Sequence, residues 1–323
     1  MLKPLQIGKK QFHSNLIQAP LAGVSCAPFR ELVWQFGGVA YCCTEMLSVH
    51  HIVSGVDRSP RYNTRSPKEE NLCWQLSGNK PDMLARASER AIAAGADVLD
   101  LNCGCPQPKI RKKNCGSKLL ADEKLLSQLV KAMRQDENIP VTVKMRIDAG
   151  HGEFCDISVA QILEAAGADA IIVHGRHWSH DYDVAAQFEA IANIVSAVNI
   201  PVIGNGDITD AKQLSHLFSQ THCAGFMIAR ASVGQPWLFQ QISCELQNKP
   251  FQLPTSFEIG ELFLQHVRGL VQLDGEKLAV FQSRKLGKYY ARSIENKIEF
   301  LNRLYETNTI SSLEEIVQDY FRD

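Results

Sequence analysis

Short apolar, β-branched runs alternate with amphipathic stretches along most of this chain, the pattern of repeated βα units. Eight runs are predicted as strands: Leu16–Pro20, Val39–Thr44, Leu72–Leu76, Val98–Leu101, Val141–Met145, Ala170–Val173, Pro201–Gly204 and Gly225–Ile228. Between them apolar positions recur at helical spacing, as in Leu84, Ala87, Ala91 and Ala94, or Leu125, Leu129, Val130 and Met133. Ala94-Gly95-Ala96-Asp97 and Ala166-Gly167-Ala168-Asp169 echo one another, each closing a helix just before a strand. Glycine at that place permits the left-handed turn that ends a helix. Consecutive βα units predict an α/β fold, a (β/α)8 TIM barrel with its active site at the strands' C-terminal ends. A doubly wound open sheet is the competitor, but no G-x-G-x-x-G follows the first strand, which disfavours a dinucleotide-binding half.

The pattern changes after Trp237–Leu246. Asn248-Lys249-Pro250-Phe251-Gln252-Leu253-Pro254-Thr255 reads as a linker, and Thr255 or Ser256 can cap the helix that follows. From Phe257 to Phe321 the spacing is helical throughout. Two domains are expected, a barrel over residues 1–247 and a smaller all-helical domain over 255–323. Arg58–Glu70, polar and with two prolines, is expected to be a surface loop between the second and third strands.

A length of 323 residues suits one barrel plus a small appendage, and 45% apolar with 21% charged residues is ordinary for a soluble globular protein. No run is long enough to span a bilayer, and Met1-Leu2-Lys3-Pro4 lacks the apolar core of a signal peptide, so a cytoplasmic protein is expected. The ten cysteines are then reduced thiols. No C-x-x-C pair occurs, which argues against a structural zinc site, and no metal is expected. The net charge of −1 hides two basic patches. Lys109, Arg111, Lys112, Lys113 and Lys118 lie in a stretch without acids. Lys277, Arg284, Lys285, Lys288, Arg292, Lys297 and Arg303 face only Glu295 and Glu299. They are either solvated surfaces or the footprint of a polyanion docked at one face.

The densest chemistry follows the fourth strand, in Leu101-Asn102-Cys103-Gly104-Cys105-Pro106 and then Asn114-Cys115-Gly116-Ser117. A thiol at a strand's C-terminal edge suits an active site, although free cysteine is also among the most buried residue types. The other strand ends carry Ala19-Pro20-Leu21-Ala22-Gly23, Glu45, Gln75, Lys144 with Arg146, His174 with Arg176, Asn205-Gly206-Asp207, and Ala229-Arg230. Barrels often bind phosphate after strands seven and eight. There the backbone N–H groups of Asn205-Gly206-Asp207 and Ala229-Arg230, with the Arg230 charge, could hold a phosphomonoester if Asp207 turns away to cap the next helix. Gln75 and Lys144 beside it would suit flavin mononucleotide (FMN).

These segments, with Val143-Lys144-Met145-Arg146, His174-Gly175-Arg176, Met227-Ile228-Ala229-Arg230 and Gly234-Gln235-Pro236-Trp237, resemble the tRNA-dihydrouridine synthases, the bacterial B-type branch most of all. The resemblance runs from about Leu16 to beyond Lys285. It implies an FMN-dependent enzyme, driven by NADPH, that reduces the 5,6 double bond of D-loop uridines in tRNA. By the same resemblance Cys105 is the proton donor. FMN contacts fall on Pro20, Leu21, Ala22, Gln75, Lys144, Asn205, Gly206, Asp207, Ala229 and Arg230, with His174 near the flavin. Asn102 and Arg146 lie near the uracil, and Arg284 and Lys285 stand in the basic tRNA-binding motif. The family's strand-one Met is Leu21 here, and the Gly usually preceding Arg230 is Ala229, which matters only if that position needs positive φ or close phosphate approach. The C-terminal motif appears as Arg284-Lys285-Leu286-Gly287-Lys288-Tyr289-Tyr290, without the usual His and Trp.

A cysteine is mostly thiol at neutral pH and can act as a general acid without special tuning. The cations around Cys105 would oppose that role, so Lys109, Arg111, Lys112 and Lys113 are expected to point outward on a loop that closes over RNA. Lys144 would stabilise negative charge at the flavin's pyrimidine edge, or else form a buried salt bridge with Glu45. The expected partner is tRNA, bound by a monomer with no membrane and no metal. The alternatives are an FMN-dependent dihydropyrimidine- or dihydroorotate-type dehydrogenase acting on a free base, and a non-catalytic tRNA-binding protein with a barrel relic.

Overall fold

A computed structural model describes residues 2–55 and 60–322. Its parallel strands are β1 (Leu16–Gln18), β2 (Cys42–Cys43), β3 (Leu72–Ser77), β4 (Val98–Cys103), β5 (Val141–Arg146), β6 (Ala170–His174), β7 (Val202–Asn205) and β8 (Gly225–Ile228). Each pairs with the next, and β8 pairs back onto β1, so the sheet is a closed barrel and not an open doubly wound sheet. All eight predicted strands are present, with ends shifted by up to three residues. The second is broken: Thr44, Glu45 and Met46 leave the ladder, and Leu47–Ser48 resumes pairing on β3. Among the described residues no helix is long and apolar enough to cross a membrane.

Inward-facing Ile17, Cys43, Cys73, Ala170, Ile172, Ile203 and Met227 fill the barrel, a packed core and not a pore. Its N-terminal end is covered by an antiparallel hairpin, Leu5–Ile7 with Lys10–Phe12, that plugs the barrel with Leu5, Ile7 and Phe12. The hairpin is absent from the sequence reading because three-residue strands are too short to establish a period. A second core lies between the strands' outer faces and the helices, and it runs unbroken into the C-terminal helices. Those are Ser256–Asp274, Glu276–Tyr290, Lys297–Glu306 and Ile310–Tyr320, with no strand among them. Thr255 is the cap of the first, in a reciprocal capping box with Glu258. This helical region packs on the barrel helix Ala27–Phe36, where Phe29 stacks on His266 at 5.7 Å and Pro28 occupies the space that a Cβ at residue 269 would need.

The predicted Arg58–Glu70 surface loop is corrected in part. Arg58 and Ser59 lie outside the described residues. Beyond them, Pro60–Asn63 is one helical turn, and Arg61, Ser66 and Glu69 are buried. Arg30, 1% exposed, holds Glu69 through Nε and NH2 and also donates to the Ser25 and Thr64 carbonyls. Arg61 bridges Glu45 of the barrel at 2.8 Å and Asp274 of the helical region. A polar segment with buried partners on both sides is an internal strut, and composition alone does not distinguish it from a solvated loop.

Glu69→Ala leaves the Arg30 guanidinium buried and unpaired, so it should destabilise the chain by about 3–5 kcal/mol. Urea unfolding monitored by circular dichroism measures this directly. A loss below ~1 kcal/mol would mean that water replaces the pair, against the burial seen here.

Candidate active site

The C-terminal ends of the strands open into a cavity of about 750 Å³, within the range of small-molecule sites. Every predicted cofactor contact lines it: Pro20, Leu21, Ala22, Gln75, Lys144, His174, Asn205, Gly206, Asp207, Ala229 and Arg230. So do Cys105, Asn102, Arg146 and Lys285. Arg284 does not. Its guanidinium donates to the Thr307 carbonyl at 3.0 Å, because it lies about 100° around the helix from Lys285 and faces the C-terminal helices. The residues that reach the mouth from that helix and just beyond it are Lys285, Tyr289 and Arg292, one face at helical spacing. Tyr290 is core, its hydroxyl 3.1 Å from His266 Nδ1.

The Cys105 loop is held by a hydrogen-bonded relay that begins inside the barrel. Strand register sets Gln75, Asp100 and Thr142 side by side. Asp100 accepts from Thr142 Oγ1 at 2.7 Å and from Gln75 Nε2 at 2.8 Å. The Gln75 Oε1 thereby exposed accepts from Asn102 Nδ2 at 2.7 Å, and Asn102 Oδ1 accepts the Cys105 N–H at 3.0 Å. On the far side the Cys105 carbonyl accepts from both the backbone N–H and Oγ of Ser117 at 3.1 Å. Gly116 makes that closure possible: its φ is +63°, and a Cβ there would sit 2.7 Å from the Cys105 oxygen. Arg146 Nε donates to the Gly104 carbonyl at 2.9 Å. Asn102 and Arg146 therefore brace the loop as well as line the cavity. Of the loop's three thiols, Cys103 and Cys115 are buried and pushed up by that burial, and Cys105 lines the cavity.

Two charge assignments, those of Asp207 and Arg111, differ from expectation, and for Lys144 the salt-bridge alternative falls away. Lys144 Nζ donates to Asn205 Oδ1 at 2.9 Å and does not pair with Glu45, which belongs to Arg61. Burial, with Arg146 nearby, pulls the Lys144 ammonium down to about 8. Asp207 does not cap the next helix, because Asp210 does so through Gln213 N. Asp207 accepts instead from Arg176 NH2 at 2.6 Å and from Ala186 N, with Arg230 3.7 Å away. Arg111 does not point outward; it stacks on Trp178 at 3.4 Å and donates to Ser117 Oγ at 2.8 Å. Lys109, Lys112 and Lys113 are exposed, as expected.

The mouth is strongly cationic. Lys144, Arg146, Arg176, Arg230, Lys285 and Arg292 line it, against Asp207 alone among the described lining carboxylates. Burial, reinforced by Lys144, Arg146, Arg176 and Arg230, drives His174 far down, so its ring is neutral at physiological pH. Ala229 has φ −114°, so a side chain is tolerated there without left-handed strain. Sequence reasoning missed Asp100, whose signal was a carboxylate inside an apolar strand, and Tyr182, whose ring lies 3.5 Å from the Arg230 guanidinium.

A family model described as dihydrouridine synthase matches residues 17–323. A probable tRNA-dihydrouridine synthase 1 of Synechocystis is 33% identical over 312 residues, 95% of this chain and 86% of that protein. A tRNA-dihydrouridine synthase B of Vibrio cholerae is 32% identical over 319 residues, 98% of both chains. Among solved structures, an old yellow enzyme homologue from Zymomonas mobilis shares the fold at TM-score 0.53 and 12% identity, covering 77% of this chain and 93% of its own.

Burial raises the Asp100 carboxyl to about 7 from its ordinary 3.8, only partly offset by Gln75, Thr142 and Lys144. Between those two values the folded chain binds a proton that the unfolded chain has released, so this residue makes stability fall as pH rises from about 4 to 7. Asp100→Asn removes the titration. Its stability relative to the parent should rise by up to about 4 kcal/mol between pH 4 and pH 7.5. Denaturant unfolding of both chains at the two pH values tests this, and a constant difference would refute it.

Proposed function

The chain belongs to the dihydrouridine synthase family, and on that premise we propose that it is a B-type tRNA-dihydrouridine synthase reducing the C5–C6 bond of D-loop uridines. Bound FMN is the proposed cofactor and NADPH the reductant. The observation that carries this reading is a single cavity in which Cys105, a set of cations and the basic face of the helical region meet.

The lining fits FMN. Lys144 Nζ makes one hydrogen bond, to Asn205 Oδ1, leaving donors for the polar edge of a flavin ring. Ala19, Pro20, Leu21 and Ala22 give a small-residue wall for a flat ring. At the other end Arg230 lines the cavity together with Asn205, Gly206, Asp207, Ala229 and Ala231, a cation and backbone loops of the kind a phosphate would require. Arg176 pairs with Asp207 and so limits its repulsion of a phosphate. When bound, FMN would supply the hydride for uracil C6.

The chain's own work is to hold and deliver a proton. Cys105 Sγ carries it to C5, and the relay from Asp100 through Gln75 and Asn102 fixes the loop in which Cys105 sits. The neutral His174 cannot add another positive charge to the ring pocket. The target uridine must leave the RNA stack to reach this depth, which costs a few kcal/mol and is offset by stacking and by backbone contacts from Lys285, Tyr289 and Arg292. This reading treats residues 1–247 as the FMN-binding catalytic domain and 255–323 as the tRNA-binding domain. One chain contains the whole cavity, so a monomer suffices, and a tRNA substrate puts the enzyme in the cytoplasm. A free-base dehydrogenase has no use for Lys285, Tyr289 and Arg292 at the mouth. Free uracil assayed against whole tRNA separates the two.

Cys105→Ala should keep flavin absorbance and reducibility while losing most dihydrouridine formation, at least a hundredfold, read by mass spectrometry of unmodified tRNA. Full activity on such tRNA would refute the proton-donor role.

Charge reversal at Lys285 and Arg292 should weaken tRNA binding and lower the slope of log K against log salt by about two, roughly one for each lost phosphate contact. Arg284→Ala should leave that slope unchanged. An equal effect from Arg284 would place the RNA on the opposite face of the helix.

A further inference from the structure

Beyond the barrel mouth, the loops after β5 and β6 bring three histidines together. One ring nitrogen from each of His151, His177 and His180 lies within 4.8 Å of the others. His151 Nε2 and His180 Nε2 are 3.2 Å apart. His177 is 1% exposed. Its Nδ1 lies 2.7 Å from Ser179 Oγ and accepts the Ser179 N–H at 3.3 Å, while its Nε2 is buried without a hydrogen-bond partner; metal binding through Nε2 moves the ring proton to Nδ1, where Ser179 Oγ accepts it. A buried imidazole nitrogen with an unsatisfied valence beside two further imidazoles is the kind of defect that a ligand removes.

We propose that His151, His177 and His180 form a zinc site that ties the loops after β5 and β6 together. Three imidazoles favour Zn²⁺ over Mg²⁺ or Ca²⁺, which prefer oxygen ligands, and solvent completes the fourth position. Glu153 supplies counter-charge, with Oε1 3.7 Å from His177 Nε2. Without metal, the His151 ring stacks parallel to His177 at 3.8 Å. Stacked rings cannot both point a lone pair at one ion, so His151 must swing aside. It is exposed, and the Asp148 hydrogen bonds that hold the turn go to backbone N–H groups, so its side chain can rotate without breaking them.

The site would act on the Cys105 loop from outside. The His177 carbonyl accepts from Arg146 NH1 at 2.9 Å, and Arg146 also holds Gly104. Trp178 carries Arg111 on its face, and Arg111 donates to the Ser117 hydroxyl that bonds to the Cys105 carbonyl. Fixing residues 177–180 therefore fixes two of the supports of that loop, those through Arg146 and through Arg111 and Ser117.

The test uses untagged, flavin-loaded protein stripped with chelator and titrated with Zn²⁺ against a chromophoric competitor, with metal content read by mass spectrometry. The expected result is one Zn²⁺ per chain with a dissociation constant below 1 μM, and no comparable binding of Mg²⁺ or Ca²⁺. His151→Gln with His180→Gln should weaken Zn²⁺ at least tenfold. Should the double variant fold poorly, His151→Gln alone, at an exposed position, should give the same direction. Absence of stoichiometric Zn²⁺ in the parent, or equal binding by the variants, would overturn the proposal. Metal content is read independently of dihydrouridine formation, so failure here leaves the catalytic reading untouched.

Discussion

Burying Asp100 inside the barrel sets the geometry of everything above it. A carboxylate in that position must receive donors, and register supplies them by placing Gln75 of β3 and Thr142 of β5 on either side. When ionised, the Asp100 carboxylate only accepts, so the Gln75 amide then has one orientation, and that dictates the orientation of Asn102 in turn. The end of the relay is the Cys105 backbone. A slip of one residue in β4 would turn Asp100 to the outer core and Leu101 into the relay, so register and loop position are one decision. Desolvation makes the arrangement costly, a pattern common where a functional site is built into a fold otherwise selected for burial.

The same economy of donors governs the cationic mouth. Six basic side chains converge on one cavity, and only Asp207 opposes them among the described lining carboxylates. Arg176, nearly as buried as the core, survives there because Asp207, the Val184 carbonyl and the Tyr182 carbonyl accept from its guanidinium. Arg230 and Lys144 have far fewer partners. A cavity with spare donor capacity on both Lys144 and Arg230 suits an anion that offers a polar ring to one and a phosphate to the other. Shape and charge thus support the same ligand class that family membership suggests.

Much of this was legible in the chain, for physical reasons. Buried parallel strands must be apolar, so all eight were found, and their C-terminal ends had to carry whatever chemistry the barrel performs. Thr255 was legible because a cap is a local interaction. What escaped notice depends on partners distant in sequence. Arg61 pairs with Asp274, more than two hundred residues away, and nothing near Pro60 announces it. Arg284 and Lys285 are adjacent in sequence yet lie on different faces, and only the helix's docking decides which one meets the cavity. The cap that would have turned Asp207 away from a phosphate is made by Asp210, and Asp207 is left to Arg176, a partner thirty-one residues distant.

That docking is itself constrained at one point of contact. Gly234, with φ +74°, lies so close to the backbone of Tyr289 that a Cβ would meet its carbonyl carbon at 2.5 Å. The loop after β8 and the helix Glu276–Tyr290 therefore touch backbone to backbone, with Arg292 donating to the Arg230 and Ala231 carbonyls beside them. The two contacts place Lys285 and Tyr289 over a cavity whose floor is built entirely by the barrel. Neither part alone has a complete mouth. A small free base would be enclosed by the floor and indifferent to the rim, whereas a nucleotide still attached to a polymer must pass the rim to reach Cys105. Selectivity for a polymer over a free base would then arise where the helical region meets the barrel and not at the reacting atoms.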